Sequence, residues 1–176
     1  MRFRHVTRGG PYVRVADPAW LRPLDPRFAQ ARGGRWNPPR SFPVVYLCAT
    51  RDIARAVVLR RFEGLPYGLV DLLPSRAPVL IATDVSEGRL VDVVGDAGCR
   101  AAGLPASYPL DRRGRTITWA RTQPVGEAAW EQGERAIACR SSVITRRERG
   151  EELAWFVRAS ADRLRVTRRS AFEDWF

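Results

Sequence analysis

The stretch GGRWNPPRSFPVVYLCAT, residues 33–50, decides how the rest of the chain is read. Two glycines, an arginine, a tryptophan, an asparagine and two prolines lead into a continuous apolar run, FPVVYLCA at 42–49. A run of that length, bounded by prolines before it and by Thr50 after it, predicts a central strand buried on both faces. The loop ahead of it sets the donor fork of Arg35 beside the planar amide of Asn37, stiffened by Pro38 and Pro39, on the rim of a sheet. A guanidinium held that way suits phosphate or pyrophosphate. The same residues also admit an architectural reading, in which Arg35 and Asn37 satisfy loop carbonyls and Trp36 plugs the core.

Working outward, Thr50 caps a helix over RDIARAVVLRRFEG, with Asp52 in its first turn and Gly64 as its stop. Ile53, Ala56, Val57 and Phe62 fall on one side of it and arginines on the other. Upstream, RFRHV (2–6) and PYVRVAD (11–17) read as two strands, followed by proline-rich loop to Pro26. Downstream, PVLIATDV (78–85) and RLVDVV (89–94) read as two strands turned through SEG. Residues 95–114 read as loop with one helical turn, and 124–136 as a helix started by Pro124 and ended by Gly133. AIACR (136–140), ELAWFVRAS (152–160) and DRLRVTR (162–168) complete the strands, with a helical turn or surface-lying tail after them. The expected architecture is α+β, a mixed or antiparallel sheet with a few flanking helices, in one domain over residues 1–176.

Composition narrows the class. A chain of 176 residues with 45% apolar content builds one good core. No segment approaches the roughly 18 apolar residues of a membrane span, and the first twenty residues lack the apolar middle of a secretion signal, so the expected location is the cytoplasm. Cys48, Cys99 and Cys139 lie far apart among apolar or small neighbours, which points to buried thiols and to no metal site. The 30 basic residues outweigh 19 acidic ones, and all 30 are arginine. They are spread from Arg2 to Arg169, which fits genomic compositional bias as well as a surface for phosphates or for an acidic partner.

GGRWNPPRSFPVVYLCATRDIARAV resembles the central motif of the RES domain family: glycines, Arg, a hydrophobe, Asn-Pro, a short loop, then Tyr-Leu-Ala and a helix. AIACRSSVITRRERGEELAWFV, residues 136–157, resembles the later motif, where a strand runs into a serine and, after a charged loop, into an apolar strand. IATDVSEGRLVDV and TQPVGEAAWEQG are similar to the middle hairpin and to the helix before the serine strand. The resemblance implies an ADP-ribosyltransferase-like fold and a toxin that degrades NAD by hydrolysis or phosphorolysis, restrained by an Xre-type antitoxin. NAD is then a substrate and no separate cofactor is implied. Arg35 would bind the pyrophosphate, Tyr46 would position the nicotinamide end, and Ser141 would orient the ribose or the attacking group, with Ser142 as the adjacent candidate. Trp36 and Asn37 would complete the substrate-binding loop. Homodimer formation stays open, and contact with nucleic acid is expected only through the antitoxin.

Cleaving the nicotinamide–ribose bond develops positive charge on the sugar, so a carboxylate near the ribose hydroxyls helps. The family supplies it as a glutamate in the helix after the tyrosine strand, where this chain has Val57. Two readings follow. Either another carboxylate enters, with Glu127, Glu131 and Asp84 as candidates, or the site still binds a nucleotide but turns it over poorly; a catalytically silent member that binds a nucleotide or the antitoxin is the alternative class. Loss of a positioned acid–base group costs about 10² to 10⁴ in rate. An arginine-rich nucleic-acid binder is the third class. His5, the only histidine, reads as structural in an opening strand, and Trp119 and Trp130 read as core.

Overall fold

The computed structural model describes residues 1–143 and 150–176. Two long strands, β1 (His5–Ala16) and β3 (Val79–Val93), pair antiparallel from His5–Val91 to Ala16–Val79. Each was expected as two strands, and each is continuous. The SEG segment read as a turn lies opposite Gly9 and Gly10: Arg8 pairs with Gly88 and Gly10 with Val85, with a register shift between them. Gly10 takes φ 92°, and a Cβ on Gly9 would stand 2.6 Å from the Glu87 backbone. The irregularity is thus absorbed as a bulge within the ladder, and neither chain reverses.

The apolar run forms β2 (Val44–Cys48), which pairs with β5 (Glu151–Phe156), and β5 pairs with β4 (Ala136–Arg140), all antiparallel. β4 runs parallel to the end of β3, from Val91–Ile137 to Val93–Cys139, and β6 (Val166–Ser170) flanks the start of β3. A single pair, Val13–Cys48, joins β1 to β2 and closes the strands into a ring. The sheet is mixed, as expected. β6 begins later than DRLRVTR suggested, because Ser160–Asp162 forms a 3-10 turn first.

Apart from Glu151 and Glu152 at the start of β5 and Arg140 at the end of β4, the strand set β2, β4 and β5 is apolar on both faces, which is what its hydrophobic runs require. Val44, Ile137, Cys139, Ala154 and Phe156 pack on one side with Trp36, Val91 and Val93; Val45, Leu47, Ala136, Ala138, Leu153 and Trp155 pack on the other.

Among the described residues four helices flank the sheet: α1 (Arg27–Arg32), α2 (Arg51–Arg60), α3 (Asp96–Ala101) and α4 (Trp119–Glu131). Thr50 caps α2 by accepting the Ile53 amide at 3.3 Å. The helix stops at Arg60, short of Gly64, and buries Ile53, Ala54 and Val58, while Ala56 and Val57 are half-buried. α4 starts five residues before Pro124, which lies inside it. Pro124 has no N–H to donate to the Ala120 carbonyl, and both residues are exposed. Trp175 is buried and donates its indole N–H to the Pro78 carbonyl at 3.2 Å, which tucks the 3-10 turn Phe172–Asp174 against the α2 cluster. Cys48, Cys99 and Cys139 are free and buried. Among the described residues no helix is long and apolar enough to cross a membrane.

Candidate functional site

α1 ends at Gly33 (φ 76°), whose amide closes the helix on the Ala29 carbonyl at 2.8 Å. The chain then forms a tight loop in which the Gly34 amide donates to the Asn37 carbonyl at 2.8 Å. Three neighbours hold this loop. The Asn37 side chain donates to the Ala29 carbonyl at 2.8 Å. From β2, the Tyr46 hydroxyl donates to Asn37 Oδ1 at 2.7 Å and accepts the Trp36 amide at 3.0 Å. From α4, Thr122 donates its hydroxyl to the Arg35 carbonyl at 2.5 Å, and Gln123 donates to the carbonyls of Gly34 and Asn37 at 3.0 and 3.3 Å. The packing leaves no room for side chains at two glycines. A Cβ on Gly34 would meet the Tyr46 hydroxyl at 2.5 Å, and one on Gly126 would penetrate the Trp36 carbonyl oxygen.

With its backbone fixed, Arg35 directs Nη1 to the Tyr108 hydroxyl at 3.2 Å and Nη2 to the Ser142 hydroxyl. Next to Ser142, Ser141 is buried and donates its hydroxyl to Glu152 Oε1 at 2.5 Å, while accepting the Val143 amide at 3.3 Å. Burial opposes the charge on Arg35, but the neighbouring Tyr108 oxygen and the Glu152 carboxylate outweigh it, so its pKa lies above the usual arginine range. Burial pushes the phenols of Tyr46 and Tyr108 up, which keeps both protonated near neutral pH. Arg35, Tyr46, Ser142 and Glu152 are each half-buried, so the cluster retains solvent access.

The expected site residues therefore separate into two groups. Arg35, Ser141 and Ser142 converge, while Tyr46 stands behind the loop with its hydroxyl spent on Trp36 and Asn37. Trp36 and Asn37, expected to touch substrate, have no exposed surface. Trp36 packs in the core 5.9 Å from the Tyr108 ring, and Asn37 ties α1 to β2, so the architectural reading holds for these two. Glu127, Glu131 and Asp84 are exposed. Val57 is half-buried in an apolar cluster with Ile53, Val58 and Val143. His5 pairs with Glu134 at 2.9 Å. Trp119 is exposed, contrary to its expected core position, whereas Trp130 stacks on Phe42 at 4.9 Å. The charged loop between Ser142 and β5 lies, from 144 to 149, outside the described residues.

Sequence reasoning missed Tyr108, Glu152 and Arg140. Arg140 donates to the carbonyls of Val94, Ala106 and Tyr108 at 2.6, 2.7 and 2.9 Å and pairs with Asp96, so β4 holds the segment that presents Tyr108. Nothing in the irregular 95–114 stretch marks Tyr108, but the two acids opening the apolar run EELAWFV were a usable signal for Glu152. A cleft of about 830 Å³ opens close by, lined by Arg100, Arg112, Arg113, Arg115 and Arg121 with Asp111 and Ser107. Its link to the cluster is short: Ser107 adjoins Tyr108, and Arg121 adjoins Thr122.

The model of the RES domain family matches residues 11–173. Curated relatives called NAD(+) phosphorylase MbcT, from Mycobacterium bovis and Mycobacterium tuberculosis, are 31% identical over 104 residues. That match takes in 58% of this chain and 52% of each relative, so the chain spans about half the length of the curated relatives it matches. A chain in the crystal structure of the M. tuberculosis MbcT–MbcA toxin–antitoxin complex superposes with a TM-score of 0.75 at 21% identity, covering 97% of this chain and 91% of that one. That likeness speaks for the fold and agrees with the α+β architecture.

Proposed function

The chain belongs to the RES domain family, and on that premise we propose that it degrades NAD by cleaving the nicotinamide–ribose bond, as the toxin of a toxin–antitoxin pair. The observation that carries the reading is the half-buried Arg35 guanidinium, backbone-clamped by α4 and set beside two serine hydroxyls and a carboxylate. The relatives named for NAD phosphorolysis support the substrate.

In this reading Arg35 takes the pyrophosphate, exchanging its bonds to Tyr108 and Ser142 for phosphate oxygens. Ser141 accepts a ribose hydroxyl. Tyr46 acts one step back, keeping the loop that bears Arg35 in place. The C1″–N bond breaks with its electron pair leaving on neutral nicotinamide, and the oxygen of water or phosphate takes the vacated position on the sugar. NAD serves as substrate rather than as a resident cofactor. The whole of residues 1–176 is taken as one RES-like domain acting in the cytoplasm. The partner is an Xre-type antitoxin with an acidic contact surface, a choice supported by the arginine-lined cleft beside the site. Homodimer formation belongs to the same reading.

Purified protein incubated with NAD, with and without inorganic phosphate, tests this. Nicotinamide release is expected from the wild type, and phosphate dependence separates phosphorolysis from hydrolysis. Arg35→Lys keeps the charge but not the fork, and is expected to lose roughly 10- to 100-fold in kcat/KM, the equivalent of one charge-assisted hydrogen bond. Intact NAD after prolonged incubation with folded wild type would reject the activity.

Val57 motivates a second reading, a catalytically silent member that binds nucleotide or antitoxin. Calorimetry showing NAD association without nicotinamide release would select it.

A further inference from the structure

We propose that Glu152 is the carboxylate of this site, holding Ser141 as a hydrogen-bond acceptor and setting negative charge against the ribosyl cation. The inference rests on the NAD-cleaving reading above and assigns a role that none of the candidates drawn from the sequence fills.

Glu152 stands in β5 with Cys48 of β2 on one side and Cys139 of β4 on the other. It therefore lies in the interior of a sheet whose neighbouring strands are, apart from Arg140, apolar on both faces. A half-buried carboxylate between two such strands needs hydrogen-bond partners to offset its lost hydration. Val or Ile would satisfy the strand without that cost. The partners here are chemical groups of the site: the Ser141 hydroxyl donates to Oε1 at 2.5 Å, and the carboxylate supports the charge of Arg35 through space. Cross-strand register places Glu152 on the same sheet face as Cys139 and, through its neighbour Ala154, Tyr46. That face also carries Trp36, α4 and the Arg35 loop.

The direction of the serine proton is what gives the arrangement a function. Because Ser141 donates to Glu152, its oxygen is left to accept, and the Val143 amide takes only part of that capacity. A ribose hydroxyl donating to Ser141 would be polarised by the charge behind it, and that interaction strengthens as the sugar becomes cationic. No bond to protein forms. Glu152 is thus a positioning residue that acts through Ser141, and its influence falls on the chemical step more than on ground-state affinity.

The test compares wild type, Glu152→Gln and Ser141→Ala by nicotinamide release and thermal unfolding. Glutamine keeps the shape and can still accept the Ser141 proton, so a purely structural carboxylate would be replaced without effect on turnover. The expected result is a kcat for Glu152→Gln lowered about 100-fold or more, with KM within about threefold and the unfolding midpoint retained. An active wild type whose Glu152→Gln kcat is unchanged overturns this proposal and leaves the NAD-cleaving reading standing. A folded wild type with no NAD cleavage overturns both. If Glu152→Gln does not fold, Ser141→Ala decides: an unchanged kcat overturns the proposal, and a comparable loss at constant KM supports it.

Discussion

Thr122 gives its hydroxyl proton to the carbonyl oxygen of Arg35 at 2.5 Å, so a helix remote in sequence fixes the backbone of the residue proposed to take the pyrophosphate. The Arg35 side chain reaches Tyr108 and Ser142 from that anchor. Thr122→Val keeps the shape and removes the donor, leaving a peptide carbonyl short of its partner. The expected cost is about 1–3 kcal/mol, read as a midpoint lowered by about 2–4 °C per kcal/mol. A midpoint equal to wild type would show that the carbonyl finds another donor.

Tyr46→Phe removes one hydroxyl that serves two buried groups, the Trp36 amide and Asn37 Oδ1. Again about 1–3 kcal/mol is expected. The loss of turnover should follow the loss of stability, since the hydroxyl is engaged by the loop. A folded Tyr46→Phe protein of undiminished stability but abolished turnover would instead place the phenol in contact with substrate.

Gly126→Ala puts a methyl group into the Trp36 carbonyl oxygen, where α4 lies against the loop. Both sides of that contact are backbone, so relief requires α4 to move. Overpacking of this kind costs about 1–3 kcal/mol or more, and the bonds from Thr122 and Gln123 should loosen with it. Thermal unfolding together with nicotinamide release checks both effects; an alanine variant matching wild type in each would contradict the close approach.

The three thiols should resist alkylation in the native protein. Burial pushes Cys99 up to about 11 and Cys139 up to about 12, the latter helped by Glu152, and it raises Cys48 as well. Thiolate is the reactive form, so near pH 8 its fraction falls below that of an ordinary cysteine. Iodoacetamide followed by mass spectrometry should label none of the three in folded protein and all three in urea. Rapid native labelling of Cys139 would show that the sheet face beneath the site is open.

Much of the fold was legible because the relevant signals are local. The apolar run at 44–48 specified a strand buried on both faces, and Thr50 and Asp52 specified the start of the next helix. The hairpin reading of 78–94 failed for a non-local reason: Ser86–Gly88 is a turn signal only if nothing faces it, and Gly9 and Gly10 lie opposite and share the distortion. Pro124 misled in the same way, because Thr122 and Gln123 must precede it on the helix to reach the loop. Within the site, Arg35 and the two serines were readable from motif spacing. Tyr108 was not, and the acid pair opening β5 was only half the signal for Glu152, since the meaning of both comes from what β4 and β5 bring beside Arg35 and Ser141. Trp36 and Asn37 sit in the motif for packing, which a one-dimensional pattern does not distinguish from contact.

The strand ring is unevenly stitched. β1 is zipped to β3 along its whole length, yet only Val13 and Cys48 fasten it to β2. Cys48 stands directly across from Glu152. The weakest seam of the ring therefore runs one strand away from the carboxylate, and amide protons there should exchange with solvent well before those shared by β1 and β3. Breathing at that seam would loosen the strand beside Glu152 while β1 and β3 stay zipped.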